Sequence, residues 1–137
     1  MGIDVVLETE SGERLMELPD PRGRTGLILA LAPNDTTCLA AIDEYGMTIF
    51  NRIQIPQLIH ELERARVLIT EKNLDAYSKR ELAHAKSLNE PPGLIAVLED
   101  YIRLRSHKDL LNHLDSILKM AHEATAQPHL YLRFVGD

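Results

Sequence analysis

Six histidines, one cysteine and a surplus of carboxylates are the side chains here best suited to chemistry. A metal pair carried on a helix needs ligands three or four residues apart on one face. No two of His60, His84, His107, His113, His122 and His129 have that spacing, whereas Asp109 and His113 do. The plainer reading of Asp109 and His113 is a weak pair on the solvated side of a helix. Cys38 becomes a nucleophile only if a histidine approaches it in space. It opens an expected strand, with no glycine-flanked elbow and no helix start after it, so a buried core thiol is expected.

The loop Pro21-Arg22-Gly23-Arg24-Thr25-Gly26 sets two guanidinium groups beside two glycines, a composition that can hold an anion. It lacks the spacing of a phosphate loop, and a solvated turn is the favoured reading. Acid pairs such as Glu8 and Glu10, Asp43 and Glu44, or Glu61 and Glu63 do not single out two carboxyls across a cleft. No motif implies a cofactor or a metal, and none is expected.

The segment Asp43 to Gln54 is the most suggestive. A tight turn carries Tyr45, and a strand end carries Asn51, Arg52 and Gln54. Arg and Tyr are favoured at recognition surfaces, where they give large contact area and directed hydrogen bonds. Asp43, Tyr45, Asn51, Arg52 and Gln54 are therefore the expected binding residues. The plain alternative is that Asn51 caps the next turn, Arg52 pairs with a carboxylate and Tyr45 covers the sheet edge.

The elements that position these residues follow from periodicity. Ile3, Val5 and Leu7 alternate as in a half-buried strand, and Glu10 to Glu13 turn the chain into a second short strand over Arg14 to Leu18. Leu27 to Ala32 reads as either a buried strand or a short helix. Cys38 to Asp43 and Met47 to Phe50 read as a second hairpin, with Gly46 as its left-handed residue. Pro56 suits the first turn of a helix whose apolar stripe is Leu58, Ile59, Leu62, Ala65 and Ile69, with Gln57, His60, Glu61, Glu63 and Arg64 outside it. A second helix spans Asp75 to Ser87, with Leu74, Leu82, Ala85 and Leu88 inward. A third runs from Leu94 to about Arg105 on Leu94, Val97, Leu98, Tyr101 and Ile102. Ser106 reads as the N-cap of a fourth, and without that cap the third and fourth would be one bent helix. Leu130, Leu132 and Phe134 then alternate in a C-terminal strand.

Strands, then helices, then one strand argue for an α+β fold, a mostly antiparallel sheet packed against three to four helices in a single domain over 1–137. The 137 residues are 45% hydrophobic, enough for one core. The net charge of −6 and the shortage of aromatic residues weigh against nucleic acid as a partner. One cysteine allows no intrachain disulfide, and no apolar run approaches the ~20 residues of a membrane span. A cytoplasmic protein with no membrane partner is expected. Four amphipathic helices are many for one small sheet, which makes a homodimer plausible.

Tyr45-Gly46-Met47-Thr48-Ile49-Phe50-Asn51-Arg52-Ile53-Gln54 and His129-Leu130-Tyr131-Leu132-Arg133-Phe134-Val135-Gly136-Asp137 resemble segments of small uncharacterised bacterial proteins of similar length. That resemblance implies no activity and no site residue. The leading functional expectation is a non-enzymatic protein-binding module, of inhibitor or immunity type, with an acidic surface that speeds encounter with a basic partner. The alternatives are an enzyme whose site assembles Asp43, Asn51 and Arg52 around a pocket, and a small-ligand or anion sensor built on Arg22 and Arg24.

Overall fold

The computed structural model describes residues 2–137. Two strands, β1 (Ile3–Thr9) and β2 (Arg14–Leu18), form the expected N-terminal hairpin. Gly12, at a φ of 87°, supplies the left-handed residue of its turn. Two helices follow, α1 (Arg24–Leu31) and α2 (Cys38–Ala41), then strand β3 (Met47–Phe50). Four longer helices come next: α3 (Ile55–Leu68), α4 (Glu71–Ser87), α5 (Pro92–Leu104) and α6 (His107–Ala126). Strand β4 (Leu130–Gly136) closes the order.

The four strands make one antiparallel sheet in the order β2-β1-β4-β3. The last strand therefore enters the middle of the sheet, with Val5 opposite Phe134 on one side and Phe50 opposite Leu132 on the other. This is the α+β architecture expected from the segregation of strands and helices.

Period-2 alternation gives the sheet two unlike faces. Ile3, Val5, Leu7, Phe50, Leu132 and Phe134 point to the helices and are buried. Phe50 and Phe134 meet edge-to-face there at 5.7 Å. Two helices complete this core. Ile55, Leu58, Leu62 and Ala65 of α3 pack against Leu110, Leu114, Ile117 and Ala121 of α6.

Of the two readings open for Leu27 to Ala32, the helix is the one formed, with Gly23 as a left-handed N-cap at a φ of 67°. Other local expectations are overturned. The second hairpin does not exist. Cys38 to Ala41 is a helical turn, and β3 pairs with β4 rather than with a preceding strand. The reason is tertiary: a carboxylate from α3 captures the amides of Thr37 and Leu39 and holds them as a helix start. Gly46 is not left-handed either. Its lack of a side chain matters because a Cβ there would sit 2.5 Å from Asp43 Oδ2.

Ser106 does cap α6, accepting the Asp109 N–H at 3.1 Å, so α5 and α6 are separate helices. The largest departure is α5 itself. It carries the apolar stripe the periodicity predicts, yet no side chain of it is buried, and Leu94, Val97, Tyr101 and Leu104 are exposed. Leu88, expected inside at the end of α4, is exposed as well.

Candidate interaction surface

Two buried polar clusters occupy positions where sequence reasoning looked for chemistry. The first joins Asp20, Thr25 and His113. Asp20 accepts the Ile3 and Thr25 N–H groups at 3.0 Å and the Arg24 N–H at 2.7 Å, tying β1 to the start of α1. The Thr25 hydroxyl donates its one proton to the Ile3 carbonyl at 3.0 Å. The 2.9 Å contact with His113 Nε2 must then be donated by the imidazole. In that tautomer His113 is no base toward Thr25, and the cluster works as a structural tie. His113 is buried, not a solvated partner of Asp109, which lies instead 3.8 Å from Arg24. Burial, aided by Arg24 and opposed by Asp20, pushes its pKa below the usual histidine range. The described residues contain no group of three metal-ligating side chains.

The second cluster centres on Glu61, expected outside α3 but 0% exposed. Its carboxylate accepts four hydrogen bonds: from Leu39 N at 2.9 Å, Thr37 N at 3.1 Å, Thr37 Oγ1 at 2.9 Å and Gln57 Nε2 at 2.8 Å. Burial alone would raise its pKa, but these donors outweigh it and hold the group at about 2. Cys38, in the same region, is buried with its thiol pushed up by burial and by the Glu61 charge, as befits a core cysteine.

The expected recognition segment divides in two. Asn51 and Gln54 form a reciprocal cap: Asn51 Oδ1 accepts the Ile53 and Gln54 N–H groups, and Gln54 Oε1 accepts the Asn51 N–H at 3.0 Å. They start α3. Asp43 is a turn residue, its Oδ1 accepting the Tyr45 N–H at 2.9 Å. Tyr45 is different, being 71% exposed, and Arg52 is exposed with no ion pair among the described residues.

In the chain these two flank β3, which has one side on the sheet face that no helix covers. Val6, Glu8, Glu17, Met47, Ile49, Tyr131, Arg133 and Val135 share this face by strand register. Met47 is 55% exposed and Ile49 49%, and Ile53 is almost fully exposed nearby. At the centre, Arg133 extends across the strands. Its Nη2 lies 3.1 Å from Glu8 Oε2 and its Nη1 3.8 Å from Met47 Sδ. The two charged side chains are only 17% and 11% exposed, and Val6 between them is buried. The Arg133 Nε–H has no acceptor among the described residues.

Comparison with known proteins finds no matching family model, no similar curated protein and no similar solved structure. Function therefore rests on geometry alone.

Sequence reasoning reached Tyr45 and Arg52 but missed Glu8, Met47, Ile49, Tyr131 and Arg133. The alternation of β4 was visible. That its polar side joins β3 depends on a pairing between segments about 85 residues apart, which no local pattern reveals. The loop arginines also part company. Arg22 lines a cleft beneath α5, while Arg24 turns to Asp109.

Proposed function

We propose that this chain is a single-domain, non-enzymatic cytoplasmic protein that binds another protein on the uncovered face of its sheet. The observation that carries this reading is the exposure of Met47 and Ile49 on edge strand β3 and of Tyr45 in the turn before it, with Arg133 beside Met47. Three half-exposed or better apolar side chains in a row, next to a nearly buried guanidinium, match the composition of interface centres. Asp43 and Glu44 lie at one end of the row, both exposed. The partner this surface fits has an apolar patch with a basic margin. An inhibitor or immunity-type role follows from small size and acidic charge, since steering by opposite charge speeds such encounters. The short edge strand β3 adds unpaired backbone groups that a partner strand can use.

The test is capture of a stoichiometric partner from host lysate by tagged protein, repeated with surface variants. Ile49→Asp, and Tyr45→Ala combined with Arg52→Ala, are expected to lose the partner, while Lys72→Ala on α4 keeps it. A partner held equally by all of these variants would show that the sheet face is the wrong surface. Recovery of this chain alone, with a dimer in sedimentation, would point to the exposed stripe of α5 and a homodimer.

A further inference from the structure

The cleft that Arg22 lines has a volume of about 420 Å³, in the range of ~300–1,000 Å³ typical of small-molecule sites. Leu27 of α1, Tyr77 of α4, and Leu98 and Tyr101 of α5 form its apolar walls. A short amphipathic helix is normally held by what its apolar face buries. α5 has no fully buried side chain, with Ile95, Leu98 and Ile102 only half-buried, and it roofs an unfilled space.

The charges in this cleft are uneven in their pairing. Arg105 and Glu81 pair with each other at 3.1 Å. Arg22 and Glu44, which also line it, have no ion pair among the described residues. Among the described residues this leaves one cation and one anion of the cleft without an ion pair. Gly26 belongs to the same wall. The two amides before it donate to Asp20, but the Gly26 N–H, third in the first turn of α1, has no acceptor among the described residues.

We propose that this cleft binds a small zwitterion, an α-amino acid with an apolar or aromatic side chain. Its carboxylate meets Arg22 and the Gly26 N–H, its ammonium meets Glu44, and its side chain lies between Leu27, Leu98 and Tyr101. A neutral zwitterion matches Arg22 and Glu44, one charge of each sign without an ion pair among the described residues. A phosphate or dianion would satisfy Arg22 while setting a second negative charge against Glu44. The bound side chain also gives α5 the packing it lacks. The site is separate from the sheet face proposed above, sharing with its margin only Glu44.

Calorimetric titration of the intact chain with L-phenylalanine and L-leucine tests this directly. Two truncated analogues accompany them: 3-phenylpropionate, which lacks the ammonium, and phenethylamine, which lacks the carboxylate. Saturable one-to-one binding is expected for at least one amino acid, with each analogue of phenylalanine weaker by about tenfold or more. Arg22→Ala and Glu44→Gln, both at exposed positions, should each weaken binding by about tenfold with the melting temperature unchanged. Gly26→Leu is the sharper variant. A Cβ there meets nothing within 4 Å, and leucine suits a helix better than glycine, so the fold is kept while the cleft is filled. It should abolish binding. Three results overturn the proposal: no amino acid binding at concentrations up to about 10 mM, 3-phenylpropionate binding as tightly as phenylalanine, or undiminished binding by Gly26→Leu.

Discussion

Glu61 and Arg133 are both charged side chains largely withdrawn from water, and their surroundings are opposite. Glu61 lies under α2, and four donors complete its carboxylate. Arg133 lies on the bare face of the sheet with one carboxylate, one thioether and an Nε–H that has no acceptor among the described residues. A completed buried charge is spent on holding segments together. An incompletely paired one beside exposed Tyr45, Met47 and Ile49 has capacity left for a partner. The contrast separates structural polar groups from recognition groups in a chain where acids and arginines are scattered throughout.

Removing the completed charge should cost most. Glu61→Ala leaves the Thr37 and Leu39 amides and the Gln57 side chain without their acceptor, and is expected to destabilise the fold by about 3 kcal/mol. Urea unfolding followed by circular dichroism measures this. A loss below about 1 kcal/mol would mean that water replaces the carboxylate easily, and the distinction from Arg133 would fail.

Acid titration sharpens the same contrast. The folded-state pKa of Glu61, about 2, lies below its ordinary value of 4.5. Its contribution is therefore complete above about pH 4.5 and is lost as pH falls toward 2, amounting to about 3 kcal/mol at one pKa unit per 1.4 kcal/mol. His113 acts earlier. Its pKa is lowered from 6.5, chiefly by burial, so stability is full above that pH and declines as pH falls through the folded value. Unfolding free energy measured from pH 7.5 to 3 should therefore fall in two stages. His113→Gln should flatten the first and Glu61→Gln the second, and a single stage unaffected by either would contradict both assignments.

The bare face should respond least in stability. Arg133→Ala uncovers Val6 and unpairs Glu8, at about 1 kcal/mol. Tyr45→Ala changes stability by less than about 0.5 kcal/mol, as expected for an exposed side chain. Thermal unfolding of the two variants gives these values. A Tyr45→Ala loss as large as that of Glu61→Ala would make Tyr45 a structural residue.

Much of the architecture was legible in local pattern. The β1–β2 hairpin, the stripe of α3, the Ser106 cap and the alternation of β4 each depend on residues within a few positions of one another. The Asn51 and Gln54 cap was legible too, as the plain alternative to a binding role. Glu61 was misplaced for an equally specific reason. A glutamate on a helix reads as solvated, and only the arrival of Thr37 and Leu39 from the preceding loop gives it donors. Cys38 to Ala41 was read as a strand because short apolar runs carry no period long enough to decide.

The sequence by itself determined the class of fold, the positions of most elements and the acidic surface, since period, capping and composition are properties of neighbouring residues. Tertiary structure alone decided that β4 sits between β1 and β3, that Arg133 comes to lie beside Met47, and that α5 roofs a cleft lined by Arg22 and Glu44. Each of these joins segments tens of residues apart. Such contacts form when a common core closes distant parts of the chain on one another, and a local pattern records which residues are apolar but not which of them will meet.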